Sequence, residues 1–332
     1  MKSRVLITGG VGTIGSELVH RLLEKKDSVV CVFDSHEDGL FRLDQQYASH
    51  PNKENLRIFL GDVRDSERVH RAMKGVDEVF HCAALKHVYL SEYNPFDVIK
   101  TNIDGVTNVI NSSINQGVKK VVFTSSDKAV NPTSAMGASK LLGERLIIAA
   151  NSQVGKSATK FSCVRFGNVL NSKGSVLQIF ERQISQNQPL TITSVDMTRY
   201  FISMAEAMEL CLFASEHMLG GEIFISNMGA TDILSLAKAF CGNRKFDYKL
   251  IGEKIGEKLY EELITEVELK RTIKFNNRFV VLPDFSSPSF SVGMSDYQEK
   301  YANCEKITKI MRSDSDVIDY PSLCELIERV RN

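Results

Sequence analysis

The sequence predicts a doubly wound, mostly parallel α/β sheet with a smaller C-terminal lobe, and three observations carry that expectation. Short apolar runs rich in β-branched residues alternate with helical stretches through the first half of the chain. The first run, R-V-L-I-T, passes into an amphipathic stretch through Gly9, Gly12 and Gly15, a strand-turn-helix signature. The fifth run, K-K-V-V-F-T-S, ends in Ser126, Asp127 and Lys128, at the strand end where a parallel sheet binds ligands.

At 332 residues the chain can bury a large core. We expect a nucleotide-binding part, mainly residues 1–166, and a ligand-binding lobe, mainly 167–332, interleaved with it. Acidic and basic residues balance at 41 each, so no global field draws the chain to nucleic acid or an anionic membrane, and neither is expected as a partner. No apolar run approaches the ~20 residues of a membrane helix, and Met1 leads almost directly into a strand, so a cytoplasmic protein is expected. Seven cysteines lie scattered without C-x-x-C spacing; they are read as reduced, buried thiols, and no metal site is expected.

The elements follow in order. The glycine turn, with Thr13 and Ile14 between its last two glycines, lets a pyrophosphate approach amides at a helix N-terminus. V-V-C-V-F-D is a second strand ending in Asp34, about 20 residues beyond the turn, where a carboxylate accepts ribose hydroxyls and repels a 2′-phosphate. NAD is therefore the expected cofactor, with His36 and Arg42 close enough to leave NADP open. L-R-I-F-L-G-D-V gives a third strand with Asp62 and Val63 as adenine contacts, and V-D-E-V-F-H-C-A-A a fourth whose Ala83 and Ala84 let a cofactor lie close. Pro95 opens a helix carrying Asn102, and the fifth strand precedes a helix through M-G-A-S-K-L-L-G-E-R-L. R-F-G-N-V-L is a sixth strand, followed by a polar turn; G-G-E-I-F-I-S-N reads as a further strand. The stretch S-S-P-S-F-S-V reads as a loop or a contact between copies.

T-G-x-x-G-x-x-G, the strand-end Asp34, G-D-V-R-D, H-C-A-A and Lys140 together resemble the extended short-chain dehydrogenases/reductases, which have a Rossmann-type fold. Within that superfamily A-A-L-K-H-V, S-S-D-K-A-V-N-P-T, M-G-A-S-K, R-F-G-N-V-L, M-T-R-Y-F and G-E-K-L-Y-E-E-L resemble the UDP-N-acetylglucosamine 4,6-dehydratases of polysaccharide and glycan biosynthesis. The matches run from Arg4 to about Leu282 and suggest the short form that lacks the membrane helices of larger relatives. One position departs from the superfamily pattern Tyr-x-x-x-Lys: Met136 stands where tyrosine usually serves as the base, a replacement some dehydratases share.

The resemblance implies these roles. Lys128 is the base at carbon 5, Asp127 the acid for the departing hydroxyl, Ser126 their neighbour, and Lys140 the cofactor-ribose ligand. A lysine base must be neutral; desolvation and nearby positive charge favour that, and Asp127 opposes it. Lys86 and His87 face the sugar or its phosphates, Asn168 and Ser175 belong to a substrate loop, and Arg199 with Gly256, Glu257, Lys258 and Glu261 contacts the uridine diphosphate. The implied ligand is UDP-N-acetylglucosamine or a related UDP-amino sugar, and a homo-oligomer is expected. Two alternatives stay open: a UDP-sugar 4-epimerase, which usually keeps the tyrosine, and a noncatalytic NAD-responsive regulator, which its loss would favour.

Overall fold

The computed structural model describes residues 2–284 and 293–331; the S-S-P-S-F-S-V stretch lies outside them. In chain order the strands are β1 Ser3–Thr8, β2 Ser28–Asp34, β3 Leu56–Leu60, β4 Glu78–His81, β5 Lys120–Ser126, β6 Lys160–Phe166, β7 Asn168–Val169, β8 Leu190–Ile192, β9 Thr198–Ile202, β10 Ile223–Ser226, β11 Gly229–Asp232, β12 Tyr248–Leu250, β13 Thr272–Phe275, β14 Arg278–Val281 and β15 Glu305–Lys306. Ten of them form one sheet in the order β15-β13-β14-β10-β6-β5-β4-β1-β2-β3. From β10 to β3 every pairing is parallel, with the order reversing beside β1, as a doubly wound sheet requires. The antiparallel edge β14-β13-β15 comes from the C-terminal half, which therefore extends the main sheet as well as building its own core.

The central strands are apolar along their length because helices cover both faces, as β5 shows with Lys120 and Ser126 alone outside the buried run. Helix α1, Thr13–Glu24, buries Leu18, Val19, Leu22 and Leu23 on one stripe. A second, smaller core gathers Leu177, Phe180, Ile192, Phe201, Leu236 and Leu323 around β8, β9 and the C-terminal helix.

Two local readings are corrected. R-F-G-N-V-L is not one strand: β6 ends at Phe166, and β7 pairs with β9 in a separate three-stranded sheet, β11-β9-β7. Gly167 makes the break, since a Cβ there would lie 2.6 Å from Tyr200 backbone and side-chain atoms. The helix opened by Pro95 is not uniform either. An α-turn, Pro95–Ile99, passes through a π-helical segment, Lys100–Asp104, before the regular helix Gly105–Gln116, and Asn102 sits on the π segment. Such segments often re-aim a functional side chain.

Candidate active site

The glycine turn closes onto its neighbours as a dinucleotide site demands. Gly9 adopts φ 66° and donates to the Phe33 carbonyl at 2.9 Å; a Cβ there would lie 2.7 Å from the Ala83 backbone. A Cβ on Gly15 would collide with the Gly9 carbonyl, so α1 can pack on the turn only through glycine. Beside the turn opens a groove of about 1160 Å³, lined by Gly9, Gly12, Asp34, Asp62, Ala83 and Ala84 among others. Asp34 accepts from the Val11 and His36 amides at 3.1 and 3.0 Å, which hold its carboxylate at the groove wall. Thr13 and Ile14 open α1 there. Asp62 is bonded to Arg64 through Nε at 2.9 Å, and that contact holds its carboxyl below the ordinary range. The Val63 side chain is buried and its carbonyl accepts from Asn108, and the residue lines the groove beside Asp62.

The fifth strand delivers the candidate reactive groups. Asp127 is fully buried; its Oδ1 accepts from Ser126 Oγ at 2.7 Å and from Lys128 Nζ at 3.0 Å, while Oδ2 has no partner within the described residues. A buried carboxylate oxygen without a donor is costly unless a ligand supplies one. Helix α7, Ala135–Ala150, starts at the Ser134 cap and carries Met136 and Lys140 one turn apart, both buried. Lys140 Nζ donates to the Thr124 carbonyl at 2.9 Å, and burial pulls its pKa down to about 8. Asn102 joins these parts: its amide donates to the Leu85 carbonyl and to Ser139 Oγ, and its carbonyl accepts from the Leu85 amide. The loop after β4 is thereby tied to α7.

A buried charge cluster forms the floor. Glu261 is 2% exposed and lies 3.6 Å from Lys128 Nζ, 3.9 Å from Arg199 Nε and 3.1 Å from Lys258 Nζ. Lys128 also donates to Asn168 Oδ1 at 3.1 Å. Burial pulls the Lys128 pKa down, but Asp127 and Glu261 outweigh it, and the net shift is upward. In the ligand-free protein Lys128 is thus an ammonium, opposite to the neutral state a base needs.

The remaining residues divide. Arg199 is buried and donates to the Thr198 carbonyl at 2.8 Å, so its fork is partly spent on the protein. Lys258 donates to the Val130 carbonyl at 2.9 Å, tying the cluster to the loop after β5, while Glu257 accepts from the Lys254 amide and stands apart from it. Gly256 packs over Ser134, where a Cβ would meet Ser134 Cβ at 2.9 Å. Lys86 is turned to the Lys173 carbonyl at 2.9 Å, His87 is exposed, and Ser175 Oγ is buried without a partner among the described residues. Sequence reasoning missed Lys173, which lines the groove, and the buried pairing of Arg165 with Glu144 and Glu268. The motif R-F-G-N held the only signal for the latter, an arginine inside an apolar strand.

Comparison with known proteins agrees with this architecture. Residues 5–283 match the model of a family described as polysaccharide biosynthesis protein. The chain is 44% identical to an uncharacterised membrane protein of Methanocaldococcus jannaschii, over 94% of this chain and 96% of that one. It is 41% identical to a Campylobacter jejuni UDP-N-acetylglucosamine 4,6-dehydratase (inverting), over 85% and 83% of the two chains. A Rickettsia bellii UDP-glucose 4-epimerase is 37% identical over 92% and 90%. Among solved structures, Pen from Bacillus thuringiensis superposes with a TM-score of 0.90 at 37% identity, covering 99% of this chain and 98% of that one. Among the described residues no helix is long and apolar enough to cross a membrane. With the family model spanning most of its length, and with relatives named as a UDP-N-acetylglucosamine 4,6-dehydratase and as a UDP-glucose 4-epimerase, the chain belongs to the polysaccharide biosynthesis protein family.

Proposed function

We propose that the chain is an NAD-dependent UDP-N-acetylglucosamine 4,6-dehydratase, a hydro-lyase making a 4-keto-6-deoxy UDP-amino sugar for surface glycans, acting in the cytoplasm as a homo-oligomer. The observation that carries it is the fully buried Asp127, paired to Lys128 at the end of β5 with its second oxygen unpartnered among the described residues. An epimerase needs no such acid-base pair beyond the base for one hydroxyl, and Met136 cannot be that base.

When bound, NAD supplies the acceptor for hydride from carbon 4 and its donor to carbon 6, so the reaction is redox-neutral. The glycine turn and Asp34 hold it, and Lys140 takes its ribose. Asp127 Oδ2 accepts the proton of the 4-hydroxyl in place of the missing tyrosine. Lys128, having shed its own proton through its partly exposed side, removes the carbon 5 proton. Asp127 then returns its proton to the 6-hydroxyl, which leaves as water, and Lys128 returns a proton to carbon 5. The sum is loss of one water with both side chains restored.

Incubation with UDP-N-acetylglucosamine, followed by mass spectrometry and NMR, tests this directly. A product lighter by one water supports a dehydratase, and the carbon 5 configuration reports whether it inverts. An isomer of unchanged mass identifies the epimerase, and binding of NAD without turnover the regulator. For the cofactor, Asp34→Ala should narrow the preference for NAD over NADP; tighter binding of NADP by the native protein refutes the role given to Asp34.

A further inference from the structure

The segment 311–318, near the C-terminus, ties the two halves of the buried charge cluster together. Arg199 lies on β9, whereas Glu261 lies on the loop that follows β12. Ser313, fully buried, contacts both stretches. Its Oγ accepts from the Glu261 amide at 2.9 Å, donates to the Thr198 carbonyl at 3.2 Å and lies 2.8 Å from Thr198 Oγ1, while its own amide donates to the Glu261 carbonyl at 2.9 Å. One hydroxyl thus spends its donor and both acceptor positions on these two residues. Both chain neighbours of Arg199 are held by the segment, Thr198 by Ser313 and Tyr200 through its hydroxyl, which donates to Asp316 at 2.5 Å. The Leu263 amide donates to the Met311 carbonyl at 3.2 Å, fixing the far side of the Glu261 loop. A direct tie from the Thr198 amide to the Leu259 carbonyl at 2.8 Å joins β9 to that loop two residues before Glu261, so the Glu261 amide itself is left to Ser313.

Resting on the dehydratase reading above, we infer that Ser313 is a positioning residue, whose hydroxyl sets Glu261 against Arg199 and Lys128 and so fixes both the cations for the diphosphate and the charge on the lysine base. Glu261 meets Lys128, Arg199 and Lys258 at 3.6, 3.9 and 3.1 Å, so a small shift of its backbone changes three separations at once. Out of water, the attraction follows those separations steeply. Ser313 acts on Arg199 through the strand: the Thr198 carbonyl it holds also accepts from Arg199 Nη1 at 2.8 Å.

The test uses the full chain, titrated with UDP and separately with NAD by calorimetry, together with the pH profile of kcat/KM. Ser313→Ala should weaken UDP binding by about 3- to 10-fold, the scale of one lost hydrogen bond, with NAD affinity unchanged. Glu261 helps to hold Lys128 charged, so its release should also move the rising limb of the profile to lower pH by about 0.5–1, a fraction of what a full opposite charge at this range imposes. In a Glu261→Gln background Ser313→Ala should move the limb no further, because the effect passes through Glu261. Thr198→Val should stay near native in both readouts, since Ser313 still reaches the Thr198 carbonyl and the Glu261 amide. Melting curves report folding; should Ser313→Ala fail to fold, Ser313→Cys, a weaker donor and acceptor, takes its place with the same outcomes. Native UDP affinity with an unmoved limb, an equal loss of NAD affinity, the same losses in Thr198→Val, or a further shift in the Glu261→Gln background would each overturn the assignment. A native protein that binds UDP without releasing water from UDP-N-acetylglucosamine refutes the dehydratase reading instead, and UDP affinity alone then decides the role of Ser313.

Discussion

At the scale of single residues, Lys128 is the point of tension. It donates to Asp127 and Asn168 and lies within ion-pair range of Glu261, and the two carboxylates keep it charged in the free protein. If it is the carbon 5 base, activity must rise with pH as that proton leaves, because only the neutral amine can accept another. Glu261→Gln removes one charge that raises the Lys128 pKa, so the rising limb of the kcat/KM profile should move to lower pH. A profile that does not move excludes Glu261 as the counter-ion controlling the base. Lys128→Ala should still bind NAD and UDP but lose turnover by roughly 100-fold or more, together with deuterium uptake at carbon 5 from deuterated water. Near-normal turnover with that uptake intact would transfer the base to another group. The adjacency of Asp127 and Lys128 was legible as two letters in a row; the approach of Glu261 was not, since it depends on how a distant loop folds back.

Elements set those residues in place, and here too sequence and structure divide along a physical line. Strand-helix alternation, the glycine turn and the helix of Lys140 rest on local periodicity and backbone sterics, which a sequence carries openly. The break at Gly167 and the π segment under Asn102 answer to tertiary neighbours, Tyr200 in one case and Leu85 with Ser139 in the other. The same holds for Arg165, which bridges β6 to α7 through Glu144 at 2.6 Å and to the short helix Glu266–Leu269 through Glu268 at 3.1 Å, all three buried. Removing the cation strands two carboxylates out of water. Arg165→Met should therefore destabilise the fold by about 3–5 kcal/mol in urea unfolding, the cost of breaking a buried pair. Replacing all three members together by apolar residues of similar volume should recover much of it; a single variant within about 1 kcal/mol of native would show that the network adds little.

For the whole molecule, burial of ionisable groups predicts how stability follows pH. His81 is fully buried beneath the site, its Nδ1 2.6 Å from Thr8 Oγ1, and burial with the nearby Lys140 charge drops its pKa from 6.5 to about 3. Unfolded, it takes a proton as pH falls through 6.5, whereas the folded protein refuses one until about 3, so the unfolded state gains protons and stability declines across that window. Glu268 adds to the decline at lower pH: burial alone would raise its pKa, but Arg165 drives it from 4.5 to about 2, and its contribution is lost as pH falls through that range. Lys140 acts at the other end, where a folded pKa of about 8 against 10.5 makes stability climb as pH rises between them. Urea unfolding of the ligand-free protein should thus weaken by roughly 1.4 kcal/mol per pH unit for each such proton, and between pH 6.5 and 4.5 His81 should dominate. His81→Gln should lower stability at neutral pH, through the lost packing, yet flatten that segment of the curve. An unchanged slope in the variant would mean that His81 is not the group holding out the proton.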